Sequence, residues 1–342
     1  MRLITFAVPS YNSQDYLGKC LDSLIVGGEE VEVIVVNDGS TDRTEKIALD
    51  YKERYPNIVK VISKENGGHG SGVMAGLKNA TGLFYKVVDS DDWLDKDALI
   101  KFLSILRLHH EKNTLADLYI TNFIYNKVSE NKFFIRHFSR HLKDQKFTTW
   151  SHVKRFYGAQ VLLMHSLTYN TEKLRQSNID LPNHTFYVDN IYAYKPLPHM
   201  DNLYYIDINL YNYFIGRDDQ SVNINVFTKR YDQQIRVMKE MVTAYSYDEI
   251  KQMKKGLSNY MLHCLSAIMM ITILFTVAGI DNDERRDALK EMWLFIKNFD
   301  YKLYRFLRWK SKPMMVSCLP WRLRGRVMVT GYKFLRSRLK LG

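Results

Sequence analysis

Four clusters of polar residues stand directly behind four short apolar runs, and the last of them, Asp89-Ser90-Asp91-Asp92, carries the densest charge. On extended backbone, alternate side chains share a face, so Asp89 and Asp91 point the same way. Hard carboxylate oxygens at that spacing suit Mn²⁺ or Mg²⁺, ions that bridge a protein and a diphosphate. Aspartate also favours turns and helix N-termini, and Asp92 or Asp95 would serve as a cap. The other clusters are Ser10-Tyr11-Asn12, Asn37-Asp38 and the loop Asn66-Gly67-Gly68-His69-Gly70-Ser71-Gly72. On their own, Tyr11 reads as a packed rim residue and Asp38 as stabilising its turn with Gly39.

The elements that must hold these clusters follow from periodicity. Runs 3–8, 31–36, 58–62 and 83–88 are predicted strands, with helices over 43–54, 73–80 and 96–109 and a first helix around Leu17–Ile25. Strands alternating with helices predict an α/β fold with a doubly wound, mostly parallel sheet. Such sheets bind ligands at the carboxyl ends of their strands, where all four clusters fall. Further strands are predicted at 118–124, 204–208 and 210–215, with a basic, aromatic loop or hairpin over 126–147. Helices are predicted over 228–246, 248–279, 283–298 and 301–309.

Three stretches carry a resemblance to a known family. Phe6-Ala7-Val8-Pro9-Ser10-Tyr11-Asn12, Val33 to Asp42 (Val-Ile-Val-Val-Asn-Asp-Gly-Ser-Thr-Asp) and Val87-Val88-Asp89-Ser90-Asp91-Asp92-Trp93 resemble, in order and spacing, the family 2 glycosyltransferases of GT-A fold. The resemblance is strong over 1–110 and thins towards 221. It implies an inverting enzyme of the bacterial cell-surface polysaccharide type, moving a sugar from a nucleotide-sugar, a UDP-sugar, to a lipid-linked saccharide or surface polymer. Pro9 and Tyr11 would border the base pocket, Asp38 would meet the uracil edge, and Asp89 the ribose or donor sugar. Asp91 would hold the Mn²⁺ or Mg²⁺. The loop at Asn66 and Gly67 fits the family's third strand-end loop. The basic residue usual in the following helix is replaced here by Lys78 or is missing. Asp189, at the start of a helix about 100 residues after the metal motif, would be the general base, or an N-cap, or both. Arg217 would reach the diphosphate or pair with Asp218 or Asp219.

Two other function classes compete. Gly70-Ser71-Gly72-Val73-Met74-Ala75 matches a dinucleotide-binding fingerprint, with Asp89 about twenty residues on, as in an NAD(P)-dependent oxidoreductase. A catalytically silent nucleotide-sugar-binding protein at a membrane surface is the other.

Charge divides the chain. The sequence has 49 Lys and Arg against 37 Asp and Glu, a net charge of +12, yet residues 301–342 hold twelve of the basic residues and no acid. The body is therefore neutral. In 327–341, Met328, Tyr332, Leu335 and Leu339 line one helical face, with Lys333, Arg336 and Lys340 elsewhere. Such basic amphipathic segments suit an anionic membrane surface, and no nucleic-acid motif is present. A helix packed on the body is the alternative. Residues 260–279 carry no formal charge and are long enough to span a bilayer. A span there would strand the basic tail outside, against the positive-inside tendency, so a buried helix is expected. Three cysteines without a Cys-x-x-Cys pair argue against a disulfide framework or zinc ribbon and suit a reducing compartment. The expected arrangement is a catalytic domain over 1–221 and a helical region over 222–342, its tail 301–342 on the inner face of the cell membrane. Localisation is expected to be cytoplasmic, with oligomeric state open.

Overall fold

The computed structural model describes residues 1–216, 224–279 and 283–338. Two compact units emerge, one of residues 1–152 and 162–215, the other of 153–161 and 216–342. The domain line expected at 221/222 lies outside the described residues.

The first unit opens with β1 (Ile4–Ser10), α1 (Leu17–Leu24), β2 (Val31–Asp38), α2 (Thr44–Arg54), β3 (Val59–Lys64), α3 (His69–Asn79) and β4 (Phe84–Val87). These are followed by β5 (Trp93–Leu94), α4 (Lys96–Glu111), β6 (Leu118–Lys127), β7 (Lys132–Arg136) and β8 (Phe147–Thr149). The unit ends with β9 (Leu167–Asn170), α5 (Thr171–Gln176), α6 (Asp189–Tyr194) and β10 (Asn202–Phe214). The sheet runs β3-β2-β1-β4-β9-β6-β10-β5, with β7 on β6 and β8 on β10. β1 pairs in parallel with β2 and β4, and β6 with β10, whereas β9 runs antiparallel between β4 and β6. β1 and β2 are buried along their whole length. Their β-branched, continuous apolar sequence is what a strand covered on both faces requires.

Three local departures from periodicity have physical causes. The two strands expected over 204–215 are one, β10, whose register against β6 shifts between Ile206 and Tyr211. Asp207 and Asn209 sit at that irregularity and interrupt the alternation. The helix expected from 73 starts at His69, because Gly68, at φ 82°, turns the chain immediately before it. Residues 126–147 contain the hairpin partner of β6, namely β7.

At the amino ends of the strands, away from the polar clusters, Glu32 is fully buried. It accepts from Arg2 (2.9 Å), Lys60 (2.6 Å), Thr5 Oγ1 (2.6 Å) and both donors of Thr81 (2.7 and 2.8 Å). Burial opposes its charge, yet these donors hold its pKa below the usual glutamate value. A buried carboxylate lacking such partners would cost several kcal/mol.

The second unit comprises α7 (Ile224–Phe227), α8 (Tyr231–Thr243), α9 (Tyr247–Gln252), α10 (Lys255–Val277), α11 (Asp283–Phe299), α12 (Tyr301–Arg305), α13 (Pro313–Ser317) and α14 (Trp321–Arg338). The helix α10 is long and apolar enough to cross a bilayer, but most of it is buried. Gln234 of α8 donates to Thr272 of α10 (3.2 Å), and Phe227 stacks on Phe275 at 4.2 Å.

Candidate active site

Short polar contacts wire together the rim where β1 to β4 end. Asn12 accepts the Thr41 N–H (2.9 Å) and donates its own to Ser40 Oγ (3.1 Å), joining the loops after β1 and β2. Ser13 and Ser90 hydroxyls meet at 2.7 Å, joining the first loop to the aspartate loop. Asp38 is buried, and its Oδ1 accepts from Lys64 Nζ (2.7 Å) and the Gly67 N–H (2.9 Å), its Oδ2 from the Gly68 N–H (2.7 Å). Asn66 donates to the Asp38 carbonyl at 2.9 Å. Asp38, Asn66 and Gly67 thus form one assembly, which fixes the turn into α3. Gly68 has the positive φ that glycine adopts without strain, and the Gly67 carbonyl accepts the His184 N–H at 2.7 Å.

That turn delivers His69, first residue of α3, to Asp89, with Nε2 to Oδ1 at 2.7 Å. Burial works against a charged imidazole, but Asp89, Asp189 and Asp91 raise its pKa above the ordinary histidine value. Burial likewise opposes the Asp89 carboxylate, and His69 with His165 holds its pKa below the usual range.

Asp189 reaches the same neighbourhood from α6. Tyr187, two residues earlier, has φ 66°, a conformation that bulky residues keep only where their surroundings enforce it. Val188 occupies the N-cap position of α6, so Asp189 does not cap it by side chain. Burial pushes the Asp189 carboxyl up to about 6, with His69 pulling down and Asp89 pushing up.

In the aspartate loop, the cap of α4 is Asp95, which accepts the Ala98 N–H at 2.9 Å. Asp92 is buried and turns to β10, where it accepts from the Tyr211 hydroxyl (2.6 Å) and the Phe214 N–H (2.7 Å). The same Tyr211 oxygen accepts the Asp89 N–H (3.1 Å), so one hydroxyl braces both ends of the motif. Burial, then the charges of Asp91 and Asp89, raises the Asp92 pKa well above normal, favouring its protonated form.

His165, just before β9, completes the group. Its ring stacks on Tyr213 at 4.3 Å, its Nε2 lies 4.0 Å from Asp89 Oδ2, and its buried Nδ1 has no hydrogen-bond partner. Burial lowers its pKa to about 4, leaving it neutral at physiological pH. Lys86, itself fully buried, donates to the His165 carbonyl at 2.7 Å and holds that backbone in place. Among the described residues, Asp89, Asp92 and His165 each place a potential ligand atom within 4.8 Å of the others. Two carboxyl groups and a neutral imidazole suit a divalent cation, and positive charge would favour loss of the Asp92 proton. The expectation placed the ion on Asp91, which lies partly exposed in the same loop as Asp89 and Asp92.

Other expected residues land differently. Tyr11 stands 53% exposed at the rim. Pro9 is buried against α3, where a Cβ on Gly72 would come within 2.9 Å of its ring, so it shapes the rim from beneath. Lys78 is not brought to the cluster. It is exposed in the last turn of α3, nine residues from His69, about 13 Å along the helix at ~1.5 Å per residue. Arg217 lies outside the described residues. The dinucleotide reading fails on geometry, since that fingerprint needs its glycines in a strand-to-helix turn. Gly70 and Gly72 lie inside α3, packed on Leu181 with Pro182 and on Pro9. Sequence reasoning passed over His69, His165, Lys86 and Tyr211. Only His69 carried a signal, as the first residue after a glycine pair at a strand end.

Residues 5–170 match the family described as Glycosyl transferase family 2. The chain carries a family 2 glycosyltransferase domain. Glycosyltransferase GlyA of Streptococcus pneumoniae is 43% identical over 95 residues, 28% of this chain and 14% of that protein. A poly(ribitol-phosphate) beta-glucosyltransferase of Bacillus spizizenii is 35% identical over 119 residues, 34% of this chain and 19% of that one. The chain thus spans less than a fifth of the length of either relative. Among solved structures, S. aureus TarS 1–349 in complex with UDP-GlcNAc superposes with a TM-score of 0.64 at 20% identity, over 97% of this chain and 92% of that one. A mannosyltransferase from Pyrobaculum calidifontis, in complex with GDP-Man and Mn²⁺, gives 0.51 at 13% identity, over 91% and 88%. At such identities the likeness concerns the fold, which is GT-A-like.

Proposed function

We propose that the glycosyltransferase domain catalyses an inverting transfer from a nucleotide-sugar, a UDP-sugar, to a hydroxyl of a surface polymer or lipid-linked saccharide. The observation that carries this reading is the convergence of Asp89, His69 and Asp189 at the strand ends, with the Asp189 carboxyl raised to about 6. A carboxyl so tuned is mostly ionised at neutral pH yet basic enough to take a proton. Asp189 removes the proton of the acceptor hydroxyl as its oxygen attacks the anomeric carbon. The bond from that carbon to the diphosphate breaks, and its electron pair leaves with the nucleoside diphosphate.

Tyr11 offers its exposed ring to the base. A carboxylate has about four acceptor sites, so the three donors already held by Asp38 leave one for a base N–H. Asp89, held by His69, takes the ribose or donor sugar. Asp89 and His165, with Asp92 or Asp91, would hold a Mn²⁺ or Mg²⁺ ion, which when bound neutralises charge on the departing diphosphate. The UDP-GlcNAc of the TarS complex supports a uridine donor, and the name of the B. spizizenii relative supports a polymer acceptor.

The test is calorimetric titration of the full chain with UDP, GDP and NAD, each with and without Mn²⁺, on wild type and Asp189→Asn. UDP binding that strengthens with Mn²⁺ and survives the substitution, while transfer disappears, is the expected result. Binding of NAD alone, or of no nucleotide, would overturn the reading.

A further inference from the structure

The helix α14 has two faces. Gly325, Met328 and Tyr332, spaced i, i+3, i+7, turn inward. A Cβ on Gly325 would come 3.0 Å from the Val277 carbonyl of α10, Met328 is 9% exposed, and the Tyr332 ring meets Phe227 edge-on at 5.6 Å. The face expected to meet lipid is therefore packed against the helical unit, and its continuation at Leu335 and Leu339 is not part of what is described.

Another stripe faces outward. Leu323, Val327 and Phe334 are 47%, 44% and 59% exposed, at i, i+4, i+11, with exposed Thr330 completing the row. Exposed Arg322, Arg326 and Lys333 recur at the same interval one position earlier, so a basic row flanks the apolar one. Not every tail cation is so displayed: Lys302 pairs with Asp248 at 2.5 Å, and Arg324 donates to the Leu319 carbonyl at 2.9 Å. The segment 301–342 contains no Asp or Glu, so its own charge is uniformly positive.

We infer that this outward face of α14 seats on the surface of an acidic lipid bilayer. The basic row meets anionic headgroups, and Leu323, Val327 and Phe334 enter the boundary of the acyl region, the arrangement of an interfacial helix. A nucleic acid would satisfy the charges and leave the apolar stripe in water. The inference does not depend on the glycosyl-transfer reading, and its test uses no donor or acceptor.

The test is sedimentation of the full chain with vesicles of equal parts phosphatidylglycerol and phosphatidylcholine, beside vesicles of phosphatidylcholine alone. Wild type should bind the acidic vesicles preferentially. Leu323→Glu/Val327→Glu should lower that binding about tenfold or more, with an unchanged thermal melt because both positions are exposed. Arg326→Ser/Lys333→Ser should weaken it most at low salt. Equal binding to both vesicles, or acidic-vesicle binding that neither variant alters, overturns the inference. So does binding of duplex DNA without vesicle binding, or a dimer that Leu323→Glu/Val327→Glu disperses without lipid.

Discussion

His69 Nε2 and Asp89 Oδ1 meet at 2.7 Å although they are twenty residues apart and follow different strands. The contact matters for charge. The partly exposed His69 ring, its pKa raised against burial by Asp89, Asp189 and Asp91, favours the ionised form of both Asp89 and Asp189. His69→Gln keeps a donor towards Asp89 and removes the charge. The acidic limb of the transfer rate should then move upward by about half a unit to one unit of pH, in line with loss of one nearby charge. A limb that stays in place would detach His69 from the base.

Asp189 sets where that limb lies. With its carboxyl raised to about 6, transfer should rise about tenfold per pH unit below that value and level off above it. The same shift bears on stability. Between the unfolded value, near 4, and about 6, the folded state keeps a proton that the unfolded chain has released. The stability this group contributes is fully present below the unfolded value and is lost as pH rises through the folded one. Asp189→Asn should therefore raise stability at pH 7.5 by about 1–2 kcal/mol, read by urea unfolding, while removing transfer. A destabilised variant would contradict the burial argument.

The proposed divalent site has its own signature. His165→Ala should weaken Mn²⁺ affinity about tenfold or more and leave nucleotide binding without metal unchanged, both measured by calorimetry. Asp91→Ala in the same assay separates the two assignments. Full Mn²⁺ affinity in His165→Ala, with loss in Asp91→Ala, would return the ion to the position expected from sequence.

Tyr211→Phe deletes one oxygen that serves two aspartates. The Asp89 N–H and the Asp92 carboxyl lose a partner together. A loss of about 1–3 kcal/mol in unfolding free energy is expected, with weakened UDP binding. Stability within about 0.5 kcal/mol of wild type would show that water replaces the hydroxyl and that the brace is dispensable.

What sequence made legible follows the distance over which each signal acts. Asp38 and Asp89 sit within a residue or two of the strands that carry them, so strand prediction located them. His69 was half visible, because the glycine pair marks the turn but a lone histidine after it marks nothing. His165 and Tyr211 could not be read, since β9 and β10 bring them to the site through pairings with β4 and β6, far away in sequence. The register shift in β10 hid that strand's continuity as well. On α14, periodicity identified one apolar face, and the structure groups its Met328 and Tyr332 together. A second apolar row, Leu323, Val327 and Phe334, faces outward, and a Cβ on the inward Gly325 would come 3.0 Å from the Val277 carbonyl.

The brace from Tyr211 also fixes an order of events during synthesis. Residues 1–111 emerge first and already contain β1 to β4, α1 to α4 and every aspartate of the motif. Their aspartate loop nevertheless lacks its brace until the last strand of the sheet has left the ribosome and docked beside β6. A nascent chain arrested before residue 211 would therefore present the aspartate loop without the hydroxyl that braces it. On the proposed reading, transfer would switch on late, once β10 has docked.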